Sequence, residues 1–370
     1  MKVLQLLDSV NRGGAEMQVL DLCRNASRYG IDVTLVTARG GVLEDEFRSS
    51  GVEFIRLDRR LPVDVFYASN LRRVIRERKI RIVHGYQAVD GMHLYLATRG
   101  MKDVRRVLSF QGFIPGKKNR VAAKLVASKM HANISVSRSL LEYLRDDVGI
   151  KRLDSFHVIY NGADEARLKP SGKSIKRELG LPGDAMLGAM VANFTTDPTK
   201  DQLTICRALS QVIRQSPQFH FLFAGRVSPE AEAIVAECRR ACEDVSANVH
   251  FLGARTDVAD ILAELDVFVF SSRREGFPVA VSEAMLAGVP MIVSDIEPML
   301  EATENGNYAE TFLVGDSRAL AEKIGGLLMS AAKRDDLGSR ARDFALKNFS
   351  IDAHLTELKR LYESLIRYER

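Results

Sequence analysis

The sequence predicts an α/β protein made of two Rossmann-like, doubly wound domains that face one another across a cleft. Three observations predict this fold class. The chain has 370 residues, which is more than one ordinary hydrophobic core organises. Strand and helix patterns alternate from the first residues, and the alternation restarts after a polar stretch near the middle. A hydrophobic content of 46% with 27% charged residues is typical of a globular protein.

Short apolar runs predict the strands of two parallel sheets. In the first half they lie at residues 3–7, 31–37, 80–83, 106–109, 132–135 and 156–159. In the second half they lie at residues 186–191, 219–224, 249–252, 267–270, 291–293 and 310–314. Residues 15–29 have the apolar spacing of an amphipathic helix, and further helical stretches separate the strands.

The domain boundary is predicted at the polar stretch that follows Asn161-Gly162-Ala163-Asp164. The first domain then comprises residues 1–163 and the second residues 164–350. A final amphipathic helix at residues 351–370 follows the second sheet. Because that sheet is already complete, we expect this helix to cross back and complete the first domain.

The amino terminus gives an expectation about location. Asp8 follows Met1 too closely for the apolar region of a signal peptide, and no apolar run approaches the roughly 20 residues that span a bilayer. Four scattered cysteines without neighbouring histidine ligands indicate buried thiols in a reducing compartment. We therefore expect a cytoplasmic protein.

Basic residues are concentrated in the first half of the chain. The segment from Arg99 to Met130 contains nine lysines and arginines but only one acidic residue, Asp103. This half is expected to contact something anionic. Nucleic acid is the least favoured partner, because the basic clusters lack interleaved aromatic residues.

Two glutamates stand eight positions apart in the most informative segment of the chain. Glu275 follows the apolar run 267–270, and Glu283 lies in a short apolar helix that Pro278 can open and Gly288 can close. A carboxylate at the carboxyl end of a strand, beside a helix N-terminus, lies where open α/β sheets bind nucleotides. The alternative interpretation is that Glu275 pairs with the helix dipole and that Glu283 is a solvated helix residue. The Gly-Phe-Pro that follows Glu275 and the apolar face around Glu283 favour the functional interpretation.

Two further turns point to a phosphate. Gly13-Gly14 follows the first strand and opens the first helix, so backbone N–H groups there can approach an anion closely, although a simple tight turn is the commoner reason for such a pair. In the second half, Lys200 ends the loop 192–200 after a strand and precedes a helix. A lysine at such a turn can neutralise a diphosphate.

Taken in order, the motifs resemble those of the GT-B glycosyltransferases, specifically the large retaining family four that uses nucleotide-diphosphate sugars. The matching pieces span nearly the whole chain, and the paired glutamates correspond to the family's E-x7-E motif. They are Gly13-Gly14-Ala15-Glu16, Val83-His84, Val136-Ser137, residues 158–162, residues 193–200, Ala224-Gly225-Arg226, residues 249–253, residues 275–285 and residues 294–301.

The resemblance implies roles for individual residues. Glu275 would bond hydroxyls of the donor sugar, and Glu283 would bond the ribose of the nucleotide. Lys200 would neutralise the diphosphate, with a backbone donor from Gly14. The remaining donor contacts would be backbone N–H groups of Gly276, Phe277 and Val279 and the base-contacting loop Gly253-Ala254-Arg255.

Two departures from the family pattern affect this assignment. Asn193 stands where the family commonly has arginine, so Lys200 would carry more of the phosphate charge. Gln111 stands where the family often has histidine, and glutamine donates a hydrogen bond but carries no proton charge. His84 is the nearest alternative histidine, although a lone histidine at a strand end is more often structural.

The resemblance implies a hexosyl transfer that retains the anomeric configuration and needs no metal or other cofactor. The expected donor is a nucleotide-diphosphate sugar with UDP ahead of GDP, and the expected acceptor is a lipid-linked or cell-envelope glycan held by the first domain. The basic segment 117–130, with apolar residues at Val121, Leu125, Val126 and Met130, would rest on the anionic inner face of the membrane, or else pack on its own domain. Two alternatives remain: a GT-B nucleotide-sugar epimerase and a non-catalytic nucleotide-sugar-binding subunit.

Overall fold

A computed structural model gives the fold and describes residues 1–197 and 199–367. The chain divides into two compact units. Unit 1 consists of Met1–Ala163 and the C-terminal segment that begins at Ile351, and unit 2 consists of Asp164–Ser350. Each unit is an α/β domain built on a parallel sheet, as the sequence predicts.

The strands of both sheets run parallel, and each sheet has the doubly wound order. Within the described residues, unit 1 has a seven-stranded sheet of order β3-β2-β1-β4-β5-β6-β7 and unit 2 a six-stranded sheet of order β10-β9-β8-β11-β12-β13. The strands are β1 Lys2–Leu7, β2 Asp32–Thr37, β3 Glu53–Arg56, β4 Ile82–Gly85, β5 Arg105–Phe110, β6 Ala132–Ser135, β7 Phe156–Val158, β8 Met186–Val191, β9 Phe219–Ala224, β10 Val249–Gly253, β11 Val267–Phe270, β12 Met291–Ser294 and β13 Glu310–Phe312. The sequence predicts all of these except β3, a four-residue edge strand whose apolar run is only Phe54-Ile55.

Helices connect the strands. They are α1 Gly14–Asn25, α2 Glu44–Arg48, α3 Val65–Glu77, α4 Ala88–Thr98, α5 Lys117–Ala127, α6 Arg138–Asp146, α7 Ile175–Glu178, α8 Gln202–Gln215, α9 Glu232–Ala241, α10 Val258–Ala263, α11 Val279–Leu286, α12 Glu297–Ala302, α13 Ser317–Leu328, α14 Ala331–Asn348 and α15 Ile351–Arg367. The last residues of the predicted final helix, 368–370, lie outside the described residues. Side chains close several N-termini, for example Asp64 on α3, Ser137 on α6 and Asp201 on α8.

The first sheet is covered on both faces. Val3 and Leu7 of β1 belong to an apolar cluster with α1 and α15, whereas Leu4 and Leu6 belong to a second cluster with α3 and α4. Successive side chains of a strand point to opposite faces, so this division places helices on either side of the sheet. It also explains why β1 is apolar at nearly every position.

Buried polar side chains fasten α15 to unit 1. Tyr362 Oη lies 3.2 Å from Gln5 Nε2 and 2.6 Å from His84 Nδ1. His354 Nδ1 donates to the carbonyl oxygen of Tyr160 at 2.7 Å, and its Nε2 accepts from Gln18 at the same distance. The C-terminal helix is thus an integral layer of the first domain.

The strand orders locate the site-forming edge of each sheet. The order reverses between β1 and β4 in unit 1 and between β8 and β11 in unit 2. Ligands of doubly wound sheets bind beyond the carboxyl ends of the strands at such a reversal. The loops after β1, β4, β8 and β11 are therefore the expected ligand-binding loops.

Candidate active site

Glu275 and Lys200 form an ion pair beyond the carboxyl ends of β8 and β11. The Lys200 ammonium donates to Oε1 of Glu275, and the Ser272 hydroxyl donates to the same oxygen at 2.7 Å. The two charged side chains are only 23% and 12% exposed, and the ammonium lies 4.9 Å from the ring centroid of Phe270. The pair is therefore held in one geometry rather than solvated.

Backbone bonds between two loops fix this arrangement. The N–H of Arg273 donates to the Thr199 carbonyl at 2.7 Å, and the N–H of Asp201 donates to the Ser271 carbonyl at 3.0 Å. These bonds join the loop after β8 to the segment after β11. Residues 75 positions apart in sequence, Lys200 and Glu275, are brought together in this way.

Glu283 forms a second ion pair that the sequence does not predict. It lies in α11, buried to 8% exposure, and its Oε1 accepts from Nη2 of Arg167 at 2.6 Å. Pro278 stands at the N-cap of α11 and Gly288 follows it at φ +76°, which agrees with the predicted ends of this helix. The apolar neighbours of Glu283 on α11 are core residues, so the carboxylate is held in an otherwise apolar helix.

The two glutamates share a pattern. In each, Oε1 is bound by a cationic side chain, and no protein group in the described part of the chain bonds to Oε2. A carboxylate has about four lone-pair sites, so each Oε2 can still accept hydrogen bonds from hydroxyl groups. The cations fix the orientation of both acceptors without using them up.

Three residues that are predicted to contact the nucleotide sugar form other contacts within unit 2. Asn193 accepts the backbone N–H of Arg226 at 3.0 Å, which ties the loops after β8 and β9 together. Arg255 is committed to Glu178 at 2.6 and 2.7 Å and to Asp257 at 2.7 and 2.8 Å, and these carboxylates raise its pKa above the usual value. The N–H of Val279 donates to the Phe277 carbonyl at 3.0 Å. The Arg255 guanidinium and the Val279 amide are therefore already occupied.

The other predicted backbone donors lie where the sequence places them. Gly253 ends β10 with φ +68°, in the left-handed region that glycine tolerates. Gly276 and Phe277 are buried directly before α11, and the Phe277 ring lies 5.1 Å from that of Phe349. Their roles toward a nucleotide sugar stay predictions. Pro198, in the predicted phosphate loop, lies outside the described residues.

In unit 1, the Gly13-Gly14 turn opens α1 as predicted, but a side chain already covers it. Gly13 is the N-cap and makes no side-chain cap. A Cβ at Gly13 would come within 2.6 Å of Oε2 of Glu16, so this carboxylate curls back over the turn. Burial raises the pKa of Glu16, opposed by a hydrogen bond to its own backbone N–H. An anion approaching Gly14 would meet this carboxylate.

His84 lies in the core of unit 1 rather than at an exposed strand end. It lies inside β4 rather than at its end and is 1% exposed. Its Nδ1 lies 2.6 Å from Tyr362 Oη and its Nε2 lies 2.7 Å from Ser109 Oγ. Burial lowers the pKa of His84 to about 3, with a smaller effect of His354. Both ring nitrogens are thus used in the core, where His84 supports α15, and its catalytic role stays a prediction.

Gln111 is half-buried just beyond β5, where its side chain has a fixed partner. Its Oε1 accepts from Nδ2 of Asn161 at 2.9 Å. Among the described residues no protein group accepts from the Gln111 Nε2, so this donor is available. That geometry agrees with a hydrogen-bond donor at this position, and the role itself stays a prediction.

Neither a metal cluster nor a membrane-spanning helix is found in the described part of the chain. No three His, Cys, Asp or Glu side chains there are arranged to hold a metal ion. None of the described helices is both long and apolar enough to cross a bilayer.

Comparison with known proteins decides the family. The family model of the glycosyltransferase family 4 matches residues 12–167, and that of the glycosyl transferases group 1 matches residues 187–330. This chain belongs to the group 1, family 4 glycosyltransferases. It is therefore a glycosyltransferase, and the two units described above form the GT-B fold of that family.

Curated relatives and a solved structure agree with this membership. The UDP-Gal:alpha-D-GlcNAc-diphosphoundecaprenol alpha-1,3-galactosyltransferase of Escherichia coli is 26% identical over 312 residues, 80% of this chain and 78% of that protein. The N,N'-diacetylbacillosaminyl-diphospho-undecaprenol alpha-1,3-N-acetylgalactosaminyltransferase of Campylobacter jejuni is 41% identical over 105 residues, 28% of this chain and 27% of that protein. The crystal structure of Anabaena Alr3699/HepE in complex with UDP and glucose superposes with a TM-score of 0.85 at 19% identity, covering 98% of this chain and 100% of that one.

The structure adds candidate site residues of this glycosyltransferase that the sequence does not reveal. Arg167 precedes unit 2's first strand and carries no motif, so only its 2.6 Å contact with Glu283 identifies it. Glu16 and Arg226 stand inside motifs that the sequence does reveal, but neither motif assigns them a role. Ser272, which fixes Glu275, has no sequence signal beyond its place after β11.

Proposed function

We propose that this glycosyltransferase moves a hexosyl unit from a nucleotide-diphosphate sugar to a lipid-linked or cell-envelope glycan, with retention of anomeric configuration and without a metal. The observation that carries the proposal is the pair of fixed glutamates, each with one free oxygen, at the carboxyl edge of the second sheet. We assign the donor to unit 2 and the acceptor to unit 1.

The donor would be held by hydroxyl contacts. Oε2 of Glu275 would accept from hydroxyls of the hexose, and Oε2 of Glu283 from the ribose. Glu275 and Glu283 are each about one-tenth exposed, so hydrogen bonds to them form in a site that excludes most water. UDP is the proposed nucleotide, which is supported by the UDP-galactose named for the Escherichia coli relative.

Lys200 would stabilise the leaving group. As the bond from the anomeric carbon to the diphosphate breaks, the electron pair goes to the phosphate oxygen and negative charge grows there. An ammonium has three donors, and the ion pair with Glu275 uses one of them. The two remaining donors of Lys200, pre-oriented by its partners, can meet that charge in place of a divalent cation.

Retention follows if the acceptor attacks from the face that the diphosphate leaves. The acceptor oxygen bonds to the anomeric carbon, and its proton passes to the departing diphosphate oxygen, which the reaction itself makes basic. Glu275 would not act as a nucleophile in this scheme, because its Oε2 is assigned to hydroxyls of the hexose and its Oε1 is held by Lys200 and Ser272. Both curated relatives are named for alpha-1,3 linkages, and an α-linkage is the product that retention would give from an α-linked nucleotide sugar.

A diphospholipid-linked sugar is the proposed acceptor class. Both curated relatives are named for acceptors on diphospho-undecaprenol, and the basic first half of this chain suits an anionic substrate at a membrane. Helix α5 supports a membrane contact in part. Val121 and Leu125 are 55% and 57% exposed, whereas Val126 and Met130 pack into the domain.

The test is a donor panel with and without acceptor. The protein is incubated with UDP-, GDP- and ADP-hexoses and an undecaprenyl-diphosphate-linked sugar, with EDTA present in a parallel series. We expect a single α-linked product from a UDP-sugar, unchanged by EDTA. Conversion of a UDP-sugar without acceptor would make the protein an epimerase. A Glu275→Ala variant that still supports the host pathway would make it a non-catalytic subunit.

A further inference from the structure

Asp8 and Arg59 form a mostly buried ion pair in unit 1 that uses only one atom of each charged group. Nη2 of Arg59 donates to Oδ1 of Asp8 at 2.6 Å, and the two side chains are 7% and 20% exposed. No described residue hydrogen-bonds the other carboxylate oxygen, Oδ2, since Nε of Arg39 approaches it only to 4.0 Å. Nη1 of Arg59 is buried and has no partner among the described residues. A bidentate pair would use both atoms on each side, so this pair leaves one donor and one acceptor open.

The pair lies at the carboxyl edge of the first sheet, where the strand order reverses. Asp8 directly follows β1, and Asp90 lies in the first turn of α4, after the neighbouring strand β4. Arg59 reaches this point from the loop that follows β3. Doubly wound sheets bind ligands beyond such a reversal, so the open donor and acceptor lie where unit 1 is expected to bind one.

A second buried polar atom of the same cluster lacks a partner. Tyr67, in the first turn of α3, is 2% exposed, and its hydroxyl forms no hydrogen bond with a described residue. Burial raises the pKa of Tyr67, and the nearby carboxylates of Asp90 and Asp8 raise it further, so the phenol stays protonated. An unmade hydrogen bond on a buried group is costly. Two such groups, Arg59 and Tyr67, in one cluster indicate a place that is built for a polar ligand.

The charges of this cluster favour an uncharged ligand. Asp8 and Arg59 neutralise one another, and Arg39 is 64% exposed, so solvent screens its charge. Burial, with a smaller effect of Asp8, raises the pKa of Asp90 to about 7, so near neutral pH this carboxyl is ionised only in part. Burial also lowers the pKa of His93, so this neighbouring ring adds no charge there. A phosphate entering the cluster would meet the Asp8 carboxylate, whereas an uncharged ligand would not be repelled.

We propose that Asp8 and Arg59 bind a hydroxyl group of the acceptor's terminal sugar, with the Tyr67 hydroxyl available to a neighbouring one. A hydroxyl both donates and accepts, so a single group can donate to Oδ2 of Asp8 and accept from Nη1 of Arg59. It enters past Asp8, the more exposed partner, whose orientation the guanidinium fixes as Lys200 fixes that of Glu275 in unit 2. The inference deepens the proposed function and rests on its assignment of the acceptor to unit 1. It adds that this subsite takes the sugar of the acceptor and not its diphosphate.

Acceptor kinetics with and without the ion pair test the proposal, using a short-chain alkyl-diphosphate-linked sugar as acceptor. The test variant is Asp8→Ala with Arg59→Leu, which removes both charges so that neither stays buried and unpaired. Its matched control, Glu53→Ala with Arg78→Leu, removes an exposed carboxylate–arginine pair of the same unit. We expect the test variant to lower kcat/KM for the acceptor by about tenfold or more, with wild-type UDP affinity by calorimetry, and the control to change neither. Asp8→Asn keeps the side-chain shape and should lower kcat/KM in the same direction, which covers the case of a double variant with a reduced melting temperature.

Monodeoxy acceptors separate a direct contact from structural support. Removing the hydroxyl that Asp8 binds should cost the wild type about tenfold in kcat/KM and cost the Asp8/Arg59 variant no more, because the two changes remove the same contact. An alkyl diphosphate without sugar should inhibit both proteins equally. Additive losses at every deoxy position would overturn the proposal. Weaker inhibition of the variant by the alkyl diphosphate would also overturn it, since the pair would then bind the diphosphate.

Direct binding separates this inference from the proposed function. Saturation-transfer NMR with methyl glycosides, which contain no diphosphate, reports sugar binding without turnover. A wild type that binds a methyl glycoside through Asp8 and Arg59 but transfers no sugar would contradict the proposed function and leave the subsite standing. A wild type that transfers sugar to the acceptor, with unchanged acceptor kinetics in the Asp8/Arg59 variant, would contradict the inference alone.

Discussion

Arg167 donates from Nη2 to Oε1 of Glu283 at 2.6 Å, and both side chains are more than four-fifths buried. This contact joins the start of unit 2 to α11, 116 positions later in the chain. Removing one partner of a buried ion pair leaves an uncompensated charge, which is costly. Arg167 is thus a positioning residue for the glutamate that we assign to the ribose.

Replacement of Arg167 is expected to affect donor binding more than turnover. Arg167→Ala should raise the KM for the nucleotide sugar by about tenfold or more with a smaller change in kcat, since Glu283 loses its orientation. The KM of Arg167→Lys should lie between those of the wild type and Arg167→Ala, because an ammonium keeps the charge but not the planar geometry. Steady-state kinetics and UDP titration calorimetry measure both effects. Arg207→Ala, which removes an exposed pair with Glu237, is the matched control, and unchanged UDP affinity in Arg167→Ala would contradict the assignment.

The two glutamates should separate catalysis from nucleotide binding. Glu275→Gln keeps the shape but loses the charge that pairs with Lys200, so we expect transfer to fall by about 10²-fold or more while UDP still binds. Glu283→Gln should instead weaken UDP binding. Single-turnover transfer and equilibrium UDP binding distinguish the two. Equal loss of UDP binding in both variants would show that Glu275 contacts the nucleotide rather than the sugar.

Arg226 is expected to supply the charge that Asn193 lacks. Asn193 accepts the backbone N–H of Arg226 at 3.0 Å, so the exposed Arg226 side chain starts from the loop next to the position where the family commonly has arginine. Arg226→Ala should weaken UDP binding several-fold and leave uridine binding unchanged, because only the diphosphate carries charge. An equal effect on UDP and uridine would remove Arg226 from the phosphate contacts.

Gln111 should tolerate histidine better than alanine. Asn161 donates to Gln111 Oε1 at 2.9 Å, and a neutral histidine can accept that bond with one nitrogen and donate with the other. We expect Gln111→His to keep transfer within about tenfold and to add an acid limb to its pH profile near the ordinary histidine pKa of about 6.5. Gln111→Ala should lose the hydrogen-bond donor altogether. Wild-type kinetics in Gln111→Ala would show that the side chain takes no part in transfer.

Acid should unfold unit 1 through its buried histidines. Burial lowers the pKa of His84 to about 3 and that of His354 to about 4, so in the folded state both stay neutral where the unfolded chain binds protons. Their stabilising contribution is complete above about pH 6.5 and is lost as the pH falls toward these values. His354→Gln can keep both hydrogen bonds, so it should flatten the slope of unfolding free energy by about 1.4 kcal/mol per pH unit between pH 6 and 4.5. Urea unfolding across this range measures the slope.

Asp90 is expected to change the pH dependence of the unfolding free energy in the direction opposite to that of the histidines. Burial raises its pKa to about 7, with a further contribution from Asp8, so the folded state holds a proton that the unfolded state releases. The stability contributed by Asp90 is present below about pH 4 and is lost as the pH rises toward 7. Asp90→Asn should therefore remove a contribution that falls with rising pH, so the rise of the unfolding free energy between pH 4.5 and 6 should become steeper by about 1.4 kcal/mol per pH unit, opposite to the effect of His354→Gln. A flattened acid limb would mean that groups other than the histidines determine acid unfolding.

The sequence by itself determined the αβ alternation, nearly every strand, the ends of α11 and the family motifs, because these depend on local periodicity, turn residues and spacing. The sequence did not predict the edge strand β3, because a four-residue strand with two apolar residues has no clear hydrophobic periodicity. Only the tertiary structure decided which charges meet. Lys200 and Glu275, Arg167 and Glu283, and Arg255 and Glu178 are each more than 70 positions apart. It also decided that His84 is a core residue, because α15 places Tyr362 against its ring, a contact between residues 278 positions apart that no local pattern encodes.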